Sequence, residues 1–146
     1  MDATELVRAH NDYWNKDDKD SFIALFTESC EITTEITTPG DLILRGLAGA
    51  EIFWEAWHSA FLDSHLTIRN IFGTDNQVAM EATFEGNHTG TLQTPDGSQI
   101  PPTGKHVSTP YVAIFTVQGD EIAAKHLYFD QIRVLTQLDL MAASGA

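Results

Sequence analysis

Near the end of the chain His126, Tyr128 and Asp130 recur at every second position. An extended strand sends alternate side chains to opposite faces, so these three groups share one wall with Ile122 and Ala124. Ala123, Lys125, Leu127, Phe129 and Gln131 form the other wall. An imidazole, a phenol and a carboxyl on one wall suit acid/base chemistry. Residues two apart on a strand lie about 7 Å apart, and residues four apart about 13 Å. His126 and Asp130 are therefore not a hydrogen-bonded dyad through the backbone alone, yet both can face one cavity. A carboxyl among Tyr, Phe and Leu is expected to lose solvent, which raises its pKa toward the range of a general acid or base near neutral pH. A second reading has Asp130 closing the strand by bonding backbone or Arg133.

The remaining candidates are more isolated. His88 follows Ala82, Phe84 and Gly86 on one face of an expected strand at 77–90. His58 lies one helical turn after Trp54, and His10 and His65 read as surface or cap residues. No H-x-x-x-H, H-E-x-x-H or paired Cys spacing is present, so no metal site is expected. No glycine-rich phosphate motif supports a nucleotide, and no cofactor is expected. Tyr13, Trp14, Trp54, Trp57, Phe61, Phe84 and Phe115 are first of all core residues, and some are expected to line a pocket between helices and sheet.

The elements that must position these groups follow from periodicity. Leu6, Val7, Ala9, Tyr13 and Trp14 predict a helix over 4–17. Asp18 or Asp20 is placed to cap a second helix carrying Phe22, Ile23, Leu25 and Phe26. A strand is expected at 30–37, a turn at 38–41, and a third helix at 48–62 with a wide apolar stripe. Strands then follow at 65–73, 77–90, 105–118 and 121–131, with a Pro- and Gly-rich loop at 91–104. Residues 132–140 are a short helix or an extended tail. Helices first and antiparallel strands afterwards define an α+β fold, in one domain spanning 1–146.

Composition sets outer bounds. The chain has 146 residues and a formal net charge of -13. Residues 1–73 hold 13 acids and 5 bases, and residues 74–146 hold 8 and 3. Eight scattered bases do not make a phosphate-binding surface, so nucleic acid and anionic membrane are excluded as partners. Residues 97–119 carry no acid, which predicts a largely buried segment. Cys30 is the only cysteine, so no intrachain disulfide forms. Neither a signal peptide nor a membrane-spanning run is recognisable, and a cytoplasmic location is the expectation.

Three segments together carry a resemblance. They are Gly86-Asn87-His88-Thr89-Gly90, Pro101-Pro102-Thr103-Gly104-Lys105, and Tyr128-Phe129-Asp130-Gln131 followed by Leu135, Gln137 and Leu138. In this order they resemble the SnoaL-like polyketide cyclases of the NTF2-like superfamily. Trp14-Asn15 before Asp18, the Ala24-Leu25-Phe26 run and Arg45-Gly46 are similar to that superfamily too. The resemblance implies a cone-shaped roll, a curved antiparallel sheet wrapped around three helices with a cavity between. It further implies homodimers or homotetramers formed through the sheet.

In those cyclases an aspartate on the last strand is the general acid/base, and Asp130 stands at that position. The implied reaction is a cofactor-independent aldol closure or isomerisation of a hydrophobic, polyketide-like carbonyl compound. His126, Tyr128 or His88 would stabilise the oxyanion. The chain departs from the pattern in two places. Residues 111–117 lack the polar Gln and His that some cyclases carry there. Thr34, followed by Glu35, stands where steroid isomerases have their aspartate base. Asp41, Arg45 and Asp130 are an alternative set, similar to the Asp-Arg-Asp site of an epoxide hydrolase. A non-catalytic binding or oligomerisation domain of the same fold is the alternative from a different functional class.

Overall fold

The computed structural model of the protein describes residues 1–35, 42–93 and 97–140. The expected turn at 38–41, with Asp41, lies outside them. Helix α1 (Ala3–Asn15) starts at a capping box. The Asp2 carboxylate accepts the Glu5 N–H at 2.8 Å, and the Glu5 carboxylate accepts the Asp2 N–H at 3.2 Å. Leu6, Val7, His10 and Trp14 make its buried stripe. Asp18 is the residue that caps α2 (Lys19–Ile23), by accepting from Ser21 N–H. This helix is shorter than the apolar pattern suggests. Phe26 leaves it to open strand β1 (Phe26–Glu35).

Strand β2 (Leu42–Arg45), which periodicity does not reveal, pairs antiparallel with β1. Gly46, at φ 71°, turns the chain directly from β2 into α3 (Gly46–Ala60). Four strands follow at or near their expected places: β3 (His65–Gly73), β4 (Gln77–Asn87), β7 (His106–Gln118) and β8 (Glu121–Phe129). The expected loop at 91–104 contains a small hairpin of β5 (Leu92–Gln93) and β6 (Gln99–Ile100). The tail forms α4 (Gln131–Gln137).

The main sheet runs β2-β1-β8-β7-β4-β3. All its pairings are antiparallel except β1 with β8. Register shifts interrupt β1/β8, β3/β4 and β7/β8, and such bulges add twist and curvature. One face of the sheet packs on α1 and α3 through Ile32, Met80, Phe115 and Ile122, all fully buried with Phe22 and Phe61. The acid-free segment divides in two. Residues 97–106 are mostly exposed, and strict alternation of burial begins at Val107. Proline and glycine removed charge from that loop without burying it.

The motifs at 86–90 and 101–105 act as staples. The Asp63 carboxylate takes both the Asn87 backbone N–H at 2.8 Å and its side-chain amide at 2.7 Å. His88 N–H donates to Lys105 O, and Gly104 N–H donates to His88 O. Gly90 N–H donates to Ala60 O, so strand end and helix end lie against one another. A Cβ at Gly90 would fall 1.7 Å from Ser59 O, so only glycine fits. Gly90→Ala is expected to cost about 3 kcal/mol or more in urea unfolding, because backbone rather than a side chain must move. A loss under about 1 kcal/mol would show that this contact is not tight.

Candidate functional site

Strand β8 shows which of its two walls is inward. Its pairing with β7 jumps from Thr116↔Ala124 to Val117↔Ile122, leaving Ala123 as an extra residue. Beyond the bulge Lys125 and Leu127 are buried, with Phe129 partly so, while Tyr128 is exposed. The wall carrying His126, Tyr128 and Asp130 therefore lies on the far side of the sheet from the helices. There the His126 and Tyr128 rings stack in parallel, 4.7 Å apart. Asp130 is exposed and caps α4, its carboxylate accepting the Arg133 N–H at 3.0 Å. That is the strand-closing alternative among the two sequence readings. The apolar surroundings expected for Asp130 are absent because the last turn of the chain folds back to use it as a cap.

His88 does not join those groups. It is fully buried, with Nδ1 accepting from the Thr103 hydroxyl at 3.0 Å and the Thr103 N–H at 3.2 Å. This leaves the proton on Nε2, which makes no hydrogen bond. Burial lowers its pKa, and the Gly90 backbone offsets only part of that effect. Its contacts are those of the staple, and it lines neither of the cavities described below. His58 stacks on Trp54 at 3.7 Å and is structural.

The inward wall carries a group that the sequence reading left aside. The Lys125 amine is held in a cage of rings, 4.3 Å from the centre of Phe53, 5.8 Å from Phe115 and 6.0 Å from Trp14. No carboxylate among the described residues lies within ion-pair distance of it. Its hydrogen bond goes to His10 Nε2 at 3.1 Å. His10, expected at the surface, is fully buried on α1. Its Nδ1 lies 2.7 Å from Asn11 Oδ1, and Asn11 Nδ2 donates to Met80 Sδ at 3.2 Å. A carboxamide oxygen only accepts, so His10 carries its proton on Nδ1 and offers a lone pair at Nε2 to Lys125. Burial pushes the Lys125 pKa down to about 7. Burial, and then the Lys125 charge, hold His10 well below its usual value.

Two cavities meet at this end of the sheet. The inner one, about 40 Å³, is lined by Trp14, Phe53, Trp57, Leu66, Phe84, Thr109, Tyr111, Lys125, Leu127 and Phe129. At roughly 10–15 Å³ per water centre it holds a few waters or one small functional group. Burial raises the Tyr111 pKa, so its phenol stays a proton donor. The outer cavity, about 730 Å³, shares Phe53, Trp57 and Phe129 with the inner one and extends to Thr34, Leu44, Leu92, Ile100 and Val134. Its size suits a drug-sized ligand. Among the aromatics expected to line a pocket, Trp14, Trp57 and Phe84 do so. Trp54, Phe61 and Phe115 pack in the core, and Tyr13 packs partly buried against it. Tyr128 lies on the opposite face of the sheet.

The folded state releases the Lys125 proton near pH 7, whereas the unfolded chain holds it to 10.5. Between these values the unfolded chain binds more protons, so this group's contribution to stability rises with pH and is lost as pH falls toward 7. Wild type should gain about 3 kcal/mol from this group between about pH 7 and about pH 9.5, measured by urea unfolding. Lys125→Met should flatten that rise and be the more stable protein at neutral pH. Equal slopes in the two proteins would contradict an uncharged, caged amine.

The comparisons with known proteins agree with this fold. The sequence matches the SnoaL-like polyketide cyclase family over residues 4–138. A candidate SnoaL-like polyketide cyclase from Jannaschia has a similar structure, with TM-score 0.79 and 18% identity over 94% of this chain and 92% of that one. A protein of ketosteroid isomerase-like fold from Catenulispora acidiphila gives TM-score 0.76 and 18% identity over 97% and 96%. A candidate polyketide cyclase from Pseudomonas putida gives 0.72 and 24% over 94% and 98%. No curated protein matches the chain. Among the described residues no helix is long and apolar enough to cross a membrane. The family match over nearly the whole chain, on an α+β roll with a cavity between helices and sheet, places the protein in the SnoaL-like polyketide cyclase family.

Proposed function

We propose that this protein is an acid/base enzyme acting on a hydrophobic carbonyl compound, by cyclisation or isomerisation, with Lys125 and His10 as its proton-transfer pair. The observation that carries this reading is the caged Lys125 amine, 3.1 Å from the His10 lone pair and facing a cavity. An amine with its pKa near 7 is half unprotonated at neutral pH, where a general base works best. A polar group that weakens the fold, in a cleft, with a single hydrogen-bonded partner, is the usual signature of function. The aromatic walls would seat the apolar body of the substrate, with its reacting carbonyl in the inner cavity. Tyr111 lines the same cavity, and its phenol would polarise that carbonyl.

The family resemblance gives this role to Asp130, and the two assignments separate cleanly. In deuterated buffer, wild type should speed deuterium uptake at the α-carbon of a hydrophobic 1,3-dicarbonyl compound, followed by NMR. Lys125→Met should lose about 100-fold or more of that rate. Asp130→Asn should change it by less than about threefold, because a neutral amide still caps α4. Loss in Asp130→Asn with retention in Lys125→Met would return the proton to Asp130.

We also infer that the protein is a homodimer through the outer face of the sheet. Tyr128 and Phe72 are exposed, 44% and 59%, and Tyr128 pairs with Val112 while His126 pairs with Ile114. Tyr128→Glu should yield monomers by sedimentation equilibrium. An unchanged mass would exclude this face.

A further inference from the structure

We propose that Lys125 is a covalent amine, forming an imine with the carbonyl carbon of a small aldehyde or methyl ketone group that enters the inner cavity. This inference rests on the proposed acid/base reading and goes beyond it, because a base only moves a proton. Three observations carry it.

The first is the amine's surroundings. Lys125 is 3% exposed, and rings rather than carboxylates surround it. No carboxylate neighbour among the described residues pins the amine as an ammonium. The faces of Phe53, Phe115 and Trp14 stabilise a cation without bonding its protons, so they serve an iminium as well as an ammonium. The second observation is His10. Its Nε2 is fixed 3.1 Å from the amine by the Asn11 contact behind it, so a proton acceptor already sits where attack releases a proton. The third is the cavity. Its polar lining consists of Lys125, Thr109, Tyr111 and the indoles of Trp14 and Trp57, and the Trp14 N–H is spent on Ser64 Oγ at 3.1 Å. Thr109 donates to Pro110 O, so Tyr111 is the hydroxyl left for the substrate oxygen. A volume of about 40 Å³ admits a carbonyl and its small substituent but not a ring system.

The step balances as follows. The unprotonated amine attacks the carbonyl carbon, forming the C–N bond while the π pair moves to oxygen. His10 Nε2 takes a proton from the new ammonium, and the oxygen is protonated to give a carbinolamine. The proton from His10 then leaves with the hydroxyl as water, and the nitrogen lone pair forms C=N. The net change is carbonyl plus amine plus one proton to iminium plus water, with no oxidant or reductant. The cationic iminium acidifies the adjacent C–H, which yields the enamine that a cyclisation or isomerisation needs.

The chain has four lysines, Lys16, Lys19, Lys105 and Lys125, so the test has three internal controls. The folded wild-type protein is treated near neutral pH with propanal and sodium cyanoborohydride, which reduces the imine to a stable secondary amine. Adducts are then located by peptide mass spectrometry. The expected result is modification of Lys125 at least about tenfold faster than of any other lysine, with Lys125→Arg abolishing the fast adduct. As a second readout on the wild type, pentane-2,4-dione should give one near-ultraviolet-absorbing enaminone per chain. Labelling confined to Lys16, Lys19 and Lys105 overturns the proposal. Deuterium exchange that depends on Lys125, without any trapped adduct there, also overturns the covalent step but leaves the proton-transfer reading intact.

Discussion

The hydrogen bond between Lys125 Nζ and His10 Nε2 is the point on which this structure turns. It joins the last strand to the first helix across 115 residues of sequence. It also fixes the protonation of both partners. A neutral His10 can accept only at Nε2, because Asn11 Oδ1 holds the Nδ1 proton. Lys125, lacking a carboxylate among the described residues, answers burial by giving up its charge. Taking such a charge out of water is costly, so most proteins place an acid beside a buried amine. Here rings take that place, with Phe53 nearest at 4.3 Å. The arrangement sacrifices stability for an amine that is unprotonated near neutral pH. It works only while α1, α3 and β8 keep their spacing, and the bulge at Ala123 and the Asn15 side chain help to set it. Asn15 bonds both the N–H and C=O of Leu66, docking α1 on β3 like an added strand residue.

Much of this architecture was legible in the sequence. Amphipathic periodicity located α1 and α3, and β-branched alternation located β3, β4, β7 and β8. The motifs at 86–90 and 101–105 pointed correctly to the family, although their side chains serve the staple between strand ends and α3. Strand β2 escaped because four residues are too few to show a period. Phe26 misled because an apolar residue one turn after Phe22 fits a helix as well as a strand start.

The site was harder to read, for one physical reason. Alternation on β8 sorted residues 124–129 into two walls, but the bulge at Ala123 breaks it and turns Ile122 inward with Lys125, and the chemical types suggested the wrong wall as inward. Leu127 and Phe129 beside Lys125 were the available signal that this wall faces the core. A lysine there reads as a surface charge unless its neighbours are weighed first. His10 was obscured in the same way, since Leu6 and Trp14, four residues to either side, put it on the buried stripe. Asp130 drew attention through its apolar neighbours in sequence, yet the chain turns at that residue and exposes it. The acids are in the main a solvated coat, and the proposed chemistry falls to one of the few bases.

The most direct test of this account is the titration of Lys125 itself. Selective carbon-13 labelling of lysine side chains resolves four Cε–Hε signals, assigned with Lys125→Arg. The account predicts that one of them titrates with a midpoint of about 7 while the folded protein stays intact. A Lys125 signal that remains that of an ammonium up to the ordinary lysine value of 10.5 would contradict it.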